Sequence, residues 1–334
     1  MGNESIKAPF PWFGGKRKVA PEVWRRFGKV KNYVEPFFGS GAVLLGRPGP
    51  VEGNETINDL DGFVANFWRA IKRDPAAVAE HADNPVNEND LHARHVWLVE
   101  RRETLQASLS GDPDFFDARI AGYWVRGLCC WIGSGFCSGS GPWWIDEDRK
   151  LVHLGDKGRG VNRQLVHLGN GQGVNRKLES IADWFNALSD RLSRVRVCSG
   201  DWSRVCGPSV TFRHGLTGVL LDPPYADTAS RTDKLYREDS LSVAHDVRRW
   251  AIENGDNPLM RIALCGYDGE HEMPSSWSVH AWSAGEGFAA QAKNRSGNGK
   301  RERIWFSPHC LNHEREGLFA LPDAESGGSN GQAV

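Results

Sequence analysis

The chain has 334 residues, enough for two domains or for one large catalytic domain that carries an insertion. Its 41 basic and 42 acidic side chains nearly cancel, and its 40% hydrophobic residues are ordinary for a globular protein, which excludes a chain that is disordered throughout. The apolar runs fall short of the ~20 residues of a membrane span and the N-terminus lacks a signal-peptide pattern, so we expect a cytoplasmic protein without membrane contact.

Two further features of composition bear on function. Seven cysteines without a CxxC pair predict reduced, mostly buried thiols rather than disulfides or a zinc site. Basic side chains concentrate in residues 7–31, 149–178 and 293–303, each of which holds only one acidic residue. Such segments are usually solvated faces, but three of them also fit a polarised surface that faces a polyanion. Charge alone leaves both interpretations open.

The first predicted elements are typical of a parallel sheet wrapped by helices. A buried strand at 32–38 runs into a glycine turn and a short helix at 42–45. A second strand at 56–58 is followed by a helix over 60–72, where apolar residues recur at helical spacing. This strand-helix-strand-helix order favours an α/β fold.

A helical and then loop-rich region follows. Helical segments are predicted near 90–107 and 114–128, whereas residues 133–177 are glycine-rich and polar and predict a loop-dominated insertion. The insertion holds a tandem repeat, LVHLGDKGRGVNR at 151–163 and LVHLGNGQGVNR at 165–176. Two copies are too few for a solenoid. The repeat is either a duplication in a tolerant surface loop or a widened basic contact.

Alternating strands and helices return after the repeat, and the polar tail at 322–334 predicts disorder. The predicted elements are helices at 178–192 and 242–254, strands at 194–198, 217–221 and 260–265, and a closing hairpin of strands at 277–282 and 303–307.

Two motifs indicate a nucleoside ligand at the carboxyl ends of strands. Glu35-Pro36-Phe37-Phe38-Gly39-Ser40-Gly41 is a strand end that enters a glycine loop, a pattern shared by dinucleotide, phosphate and methyl-donor sites. No Lys-Ser/Thr follows the glycines, which disfavours a P-loop, and Leu44 stands where a dinucleotide fingerprint has its third glycine. Asp59, at the end of the next strand, can accept both hydroxyls of a ribose.

The motif Asp222-Pro223-Pro224-Tyr225 narrows the chemistry. An exocyclic adenine amine is a weak nucleophile because its lone pair is delocalised, so acceptors that hold both N–H bonds assist its methylation. The Asp222 carboxylate and the Pro223 carbonyl can be those acceptors, on a loop preorganised by the prolines. Tyr225 offers a platform for the base. The alternative is a proline turn with a buried tyrosine.

In this order the motifs resemble the Dam-type, or D12 class, DNA N6-adenine methyltransferases. The matching pieces are Pro9-Phe10-Pro11-Trp12-Phe13-Gly14-Gly15-Lys16, the glycine loop, Asn58-Asp59, Gly200-Asp201-Trp202 and Asp222-Pro223-Pro224-Tyr225. The resemblance implies a Rossmann-like S-adenosylmethionine-dependent methyltransferase fold, a mainly parallel sheet with a terminal antiparallel hairpin. It also implies direct methyl transfer to an adenine flipped out of double-stranded DNA, without a metal.

The resemblance further implies roles for individual residues. The catalytic motif would be Asp222, Pro223, Pro224 and Tyr225. S-adenosylmethionine would be bound by Trp12, Lys16, Glu35, Pro36, Phe37, Gly39, Gly41, Asp59, Asp201 and Asp222, with Asp201 near the adenine of the cofactor.

The resemblance also predicts a domain division. Residues 1–72 and 178–321 would form the catalytic domain, and 73–177 a target-recognition insertion. The Asn-Arg and Asn-Gly-Leu residues of Dam-type enzymes are not evident in that insertion, so recognition of GATC is not carried over. We expect Arg159, Arg163 and Arg176 to contact the DNA backbone, and the protein to act as a monomer or weak dimer in a bacterium or a phage-infected host.

Three alternatives stay open at this point. Methylation of cytosine N4 or of an RNA adenine uses nearly the same amine chemistry. A non-catalytic nucleic-acid-binding relic is disfavoured by the intact Asp222 and both loop glycines. A nicotinamide-dependent enzyme is disfavoured further by the missing third glycine.

Overall fold

The structure, a computed structural model, describes residues 6–12, 15–85, 87–131, 136–137, 143–148, 150–153, 181–225, 234–283 and 301–312. Its helices are α1 (Ala20–Phe27), α2 (Ala42–Leu45), α3 (Gly62–Arg73), α4 (Pro75–Ala82), α5 (Glu88–Val99), α6 (Arg102–Gly111), α7 (Ala118–Cys130), α8 (Ile181–Leu192) and α9 (Lys234–Gly255). Its strands are β1 (Asn32–Glu35), β2 (Asn54–Asp59), β3 (Trp143–Ile145), β4 (Leu151–His153), β5 (Val195–Ser199), β6 (Thr217–Leu221), β7 (Met260–Tyr267), β8 (Ser278–Ala281) and β9 (Glu302–Phe306).

Seven strands of the described residues form one sheet in the order β5-β2-β1-β6-β7-β9-β8. The first five are parallel to one another, and β9 pairs antiparallel with both β7 and β8. This architecture confirms the predicted fold class, a mainly parallel α/β sheet with a terminal antiparallel hairpin, and it is consistent with a Rossmann-like methyltransferase.

The strand order reverses beside β1. The chain moves outward from β1 to β2 and β5, and then returns to place β6 on the other side of β1. Loops that leave neighbouring strands at such a switch point diverge and open a crevice at the carboxyl edge of the sheet. The glycine loop follows β1 and Asp222 follows β6, so the two strongest motifs flank this crevice.

Helices cover both faces of the sheet, which explains why every residue of β1 and β6 is buried. Alternating strand residues belong to two apolar cores. Tyr33 and Leu220 pack in the core shared with α1, α2, α3 and α8, whereas Val34 and Val219 pack in the core shared with α9. The continuous apolar runs of the sequence therefore reflect a sheet buried between two helical layers.

Helices α4, α6 and α7 pack against α3 or α8, and α5 packs against α7. All of them share one apolar core, through residues such as Val78, Leu98 and Trp124. The helical segment predicted near 90–107 is divided into α5 and α6 at Glu100 and Arg101. The boundary at residue 73 between a catalytic and a recognition domain stays a prediction.

The predicted insertion also contains regular structure. Strands β3 and β4 form an antiparallel hairpin, and β4 is the beginning of the first repeat copy. The rest of the repeat, with Arg159, Arg163 and Arg176, lies outside the described residues, as does the tail predicted to be disordered at 322–334.

Two composition-based expectations can be compared with the structure. All seven cysteines are described, none is in a disulfide, and six are buried. Of the helices that the structure describes, none combines the length and apolar character needed to traverse a bilayer.

A buried carboxylate in β2 holds two helices on the sheet. The side chain of Glu55 is 1% exposed and pairs with Arg47 Nη1 at 2.8 Å and Arg191 Nη1 at 2.6 Å. Arg191 Nη2 donates in addition to Glu55 Oε1 at 2.9 Å and to the Leu44 carbonyl at 3.0 Å. Glu55 thereby links the end of α2 and the end of α8 to the strand beside β1.

Candidate active site

The glycine loop adopts a backbone that side chains rarely allow. Gly39 and Gly41 have φ values of +49° and +69°, in the left-handed region. A Cβ on Gly39 would collide with the Trp12 indole, and one on Gly41 would collide with the Phe38 ring. Trp68 Nε1 donates to the Gly39 carbonyl at 2.9 Å. The loop is thus fixed against Trp12, the aromatic residue predicted to face the cofactor.

Residues at the end of β2 tie three loops of the crevice together. Asn58 Nδ2 donates to the Pro36 carbonyl at 3.1 Å and to the Gly200 carbonyl at 2.9 Å. Asp59 Oδ2 accepts from the Gly39 amide at 2.9 Å. The loops that follow β1, β2 and β5 are therefore held at one edge, with the Asp59 carboxylate among them.

Two carboxylates of this crevice have raised pKa values. Burial raises the pKa of Asp59 to about 7, although the amide of Gly39 stabilises its ionised form. Burial raises the pKa of Glu35 to about 8, and the nearby charge of Asp222 adds to this shift. Glu35 also accepts a hydrogen bond from the Tyr33 hydroxyl at 2.7 Å. Carboxylates of this kind ionise more readily when a cation or hydrogen-bond donors occupy the crevice.

We expect Asp59 to make cofactor binding depend on pH. If ribose hydroxyls bind the ionised carboxylate, a pKa near 7 lowers S-adenosylmethionine affinity about tenfold between pH 8 and pH 6. Asp59→Asn keeps an acceptor for the Gly39 amide, loses the oxygen that accepts from the Asp61 amide, and cannot ionise. Its affinity for the cofactor should therefore be weaker at pH 8 and less dependent on pH. Calorimetry measures the affinity of both proteins at each pH, and the ionisation of the ligand itself affects the two proteins equally. If affinity depended on pH in the same way for both proteins, the ribose role of Asp59 would be contradicted.

Aromatic rings flank the loop that follows β5. The rings of Phe37 and Trp202 stack with their centroids 6.2 Å apart. The Trp250 ring packs edge-on against Trp202, with a centroid distance of 6.3 Å. Asp201 is exposed, and its Oδ1 accepts from the Ser203 amide at 3.0 Å, which caps a short helical turn. A cleft of about 310 Å³ is lined by Asp201, Trp202 and Trp250 together with charged residues of α9.

On the other side of the crevice, Asp222 forms an ion pair with Lys16. Lys16 Nζ lies 3.0 Å from Asp222 Oδ1, and their side chains are 5% and 24% exposed. Burial alone would lower the pKa of Lys16, but the carboxylates of Asp222 and Glu302 raise it above its ordinary value. The first proline of the motif, Pro223, is buried and Pro224 is exposed. Asp222 therefore faces the crevice as a carboxylate beside a charged lysine.

Tyr225 sits between two carboxylates. Its hydroxyl is 2.9 Å from Glu302 Oε2 and 3.2 Å from Asp222 Oδ1. Its ring packs edge-on against Tyr267 at 4.6 Å, and Lys16 Nζ lies 5.2 Å from the ring centroid. Burial raises the pKa of Tyr225 well above its ordinary value, so the hydroxyl is a hydrogen-bond donor at neutral pH.

Glu302 was not predicted as a site residue, although it is buried at the start of β9 and lies 4.0 Å from Lys16 Nζ. In the sequence it is the single acidic residue of the basic segment 293–303. The alternation of residues along the strand could have indicated its burial. Glu302, Ile304 and Phe306 share one face of the strand, and the last two are fully buried. An acidic side chain on the buried face of a strand requires hydrogen-bonding or charged partners. For Glu302 these partners are Tyr225 and Lys16.

The structure brings the predicted residues into two neighbouring groups. Trp12, Gly39 and Asp59 are in contact around the glycine loop, and Lys16, Asp222 and Tyr225 are in contact after β6. Their roles toward a ligand stay predictions. The predicted DNA-contacting arginines at 159, 163 and 176 lie outside the described residues.

Comparisons with known proteins agree with the motifs. Residues 12–110 match the family model of the D12 class N6 adenine-specific DNA methyltransferases. The chain is 32% identical over 71 residues to a DNA N-6-adenine-methyltransferase of Escherichia phage P1, covering 21% of this chain and 9% of that protein. It is 28% identical over 76 residues to the DNA adenine methylase of Vibrio cholerae serotype O1, covering 23% of this chain and 26% of that enzyme.

These findings confirm the resemblance to the D12 class. The similar segment holds the N-terminal Trp12 and Lys16, the glycine loop and Asp59. The chain spans about a quarter or less of the length of the curated relatives that it matches.

Proposed function

We propose that this chain is a site-specific DNA adenine-N6 methyltransferase that transfers a methyl group directly from S-adenosylmethionine to an extruded adenine. One observation carries the proposal. The carboxylate of Asp222 and the ring of Tyr225 lie at the end of β6, beside the glycine loop of β1, in the crevice of a mainly parallel sheet. A hydrogen-bond acceptor and an aromatic ring thus lie next to a crevice of the kind that binds nucleosides.

The described residues fit S-adenosylmethionine as the donor. The glycines at 39 and 41 let the loop pack closely against Trp12 and Phe38, and Asp59 beside the loop offers a carboxylate for ribose hydroxyls. Asp201 and Trp202 line the adjacent cleft, where an adenine ring would meet an indole face. When bound, the donor supplies an electrophilic methyl group on a sulfonium cation, which suits the acidic crevice.

Asp222 would be the residue that acts most directly on the amine of the target adenine. Its carboxylate and the carbonyl of Pro223 would accept the two N–H bonds of the amine, so that the nitrogen lone pair turns out of the ring plane. The prolines limit the backbone of this loop and keep the acceptors in place. Lys16 pairs with Asp222 Oδ1 at 3.0 Å and so fixes the orientation of this carboxylate.

Tyr225 is expected to stack on the extruded base. Tyr225→Phe retains the aromatic face and should stay largely active, whereas Tyr225→Ala loses a stacking contact of roughly 1 to 3 kcal/mol. The alanine variant should bind S-adenosylmethionine normally but turn over about tenfold to a hundredfold more slowly. 2-Aminopurine at a confirmed target adenine should report extrusion by fluorescence. Unchanged turnover of Tyr225→Ala would exclude the stacking role.

We expect the basic repeat to contact the DNA backbone. Replacing Arg159, Arg163 and Arg176 by Ala should weaken binding about equally on all sequences and reduce the salt slope by about one per lost phosphate contact. Cofactor affinity should stay the same. Filter binding over a salt series measures the slope, and a slope equal to that of the unmodified protein would favour a neutral loop duplication.

Product analysis tests the proposed function. The purified protein is incubated with labelled S-adenosylmethionine and duplex DNA, the DNA is digested to nucleosides, and the methylated nucleoside is identified. N6-methyladenine supports the proposal, and N4-methylcytosine or labelling of RNA alone overturns it in favour of those substrates. Cofactor binding without any product would indicate a non-catalytic relic. Single-molecule sequencing of DNA from cells that express the protein then identifies the recognition sequence.

A further inference from the structure

We propose that Glu302 is a positioning residue that binds the Tyr225 hydroxyl and so leaves Asp222 available as the acceptor for the adenine amine. The inference rests on the proposed methyltransferase function, and it assigns a specific task to a carboxylate in the last strand of the sheet. Its evidence is the hydrogen-bond geometry of Tyr225, the position of Lys16 and the burial of Glu302.

The Tyr225 hydroxyl has one hydrogen and two acceptors in reach. It lies 2.9 Å from Glu302 Oε2 and 3.2 Å from Asp222 Oδ1. A phenol donates one hydrogen at a time, so the shorter contact identifies Glu302 as its main acceptor. Without Glu302, the same hydrogen would turn to Asp222.

That competition matters because Asp222 is already engaged. Its Oδ1 faces Lys16 Nζ at 3.0 Å. A second donor on the same oxygen would withdraw more negative charge from the carboxylate and make it a weaker acceptor for the amine. Glu302, 4.0 Å from Lys16 Nζ, shares the charge of the lysine as well as the hydroxyl of the tyrosine. Glu302 thus draws both donors partly away from Asp222.

The fold holds Glu302 in place for this task. It begins β9, pairs with Tyr267 of β7 in the sheet register, and is 4% exposed. The Tyr267 ring packs against the Tyr225 ring, and the Glu302 carbonyl accepts from the Trp282 amide at 3.2 Å. A group built on a strand positions its partner more accurately than one on a loop.

A rescue experiment separates this role from a structural one. Glu302→Ala should lower kcat about tenfold, the effect of one misdirected hydrogen bond, with little change in S-adenosylmethionine affinity. Adding Tyr225→Phe removes the competing hydroxyl and should restore most of the lost kcat, although it cannot restore packing. Glu302→Gln keeps an oxygen acceptor and should be intermediate. Glu270→Ala removes a nearby carboxylate that bonds the Tyr267 amide rather than Tyr225, and should stay close to normal kcat.

A second measurement needs no turnover. With ¹³C-labelled tyrosine, the Tyr225 Cζ resonance is assigned by its loss in Tyr225→Phe, and it should shift in Glu302→Ala but not in Glu270→Ala. A Glu302→Ala enzyme with normal kcat, a loss that Tyr225→Phe does not restore, or an unmoved resonance would each overturn the inference. An unmodified protein that yields no methylated DNA while the resonance shifts would instead count against the proposed function.

Discussion

Asp222→Ala is expected to abolish methyl transfer while the protein still folds and still binds S-adenosylmethionine. The change removes the anionic acceptor for the amine, comparable to deleting a transition-state hydrogen bond worth ~3 to 4 kcal/mol, or about 10²- to 10³-fold in kcat. Single-turnover kinetics on duplex DNA measures the loss directly. The affinity for the cofactor should change far less than kcat, because Asp222 is one of ten residues predicted to bind the cofactor and most of the others follow other strands.

Asp222→Asn is the matched control. It retains one acceptor oxygen and the shape of the side chain, so we expect slightly more activity than with alanine. The alanine variant also leaves Lys16 buried, with Glu302 4.0 Å away. A thermal melt of both variants therefore separates a folding defect from a chemical one. Near-normal turnover by a folded Asp222→Ala protein would refute the assignment.

Glu55→Ala is expected to have the largest effect on stability, about 3 to 5 kcal/mol, because it leaves two guanidinium groups without their buried partner. The side chains of Arg47 and Arg191 are only 7% and 15% exposed, so water cannot fully replace the carboxylate. Urea denaturation followed by tryptophan fluorescence measures the loss, because Trp24 stacks on Arg47 in this region.

The control for this prediction is an exposed ion pair. Arg73 and Asp114 lie 2.5 Å apart, but their side chains are 54% and 78% exposed. Asp114→Ala should therefore cost no more than about 1 kcal/mol. Equal unfolding midpoints for Glu55→Ala and Asp114→Ala would show that the β2 network does not stabilise the sheet.

The parts of the fold that depend on local sequence could be predicted. The strand at 217–221 has the predicted bounds because a continuous apolar run between glycine and proline signals is typical of a buried parallel strand. The predicted glycine loop lies where the strand order reverses. The break between α5 and α6 was missed, since Glu100 and Arg101 interrupt a helical pattern without proline or glycine.

The contacts within the site were harder to predict because they depend on topology. Lys16 and Asp222 are far apart in sequence, and the motifs indicated a shared site without indicating that they touch. Glu302 reaches Tyr225 only because β9 inserts between β7 and β8. No local pattern of residues specifies that insertion. The contacts of Glu302 with Tyr225 and Lys16 therefore could not be predicted from the sequence.

The insertion of β9 between β7 and β8 has a consequence for how the protein is made. During synthesis β8 leaves the ribosome before β9, yet it can join the sheet only through β9. Lys16 and Asp222 are synthesised before Glu302, so the ion-pair cluster around Asp222 is completed only after β9 has emerged. A nascent chain that has already folded its parallel strands would still lack the Glu302 carboxylate beside Tyr225 and Lys16 until β9 docked.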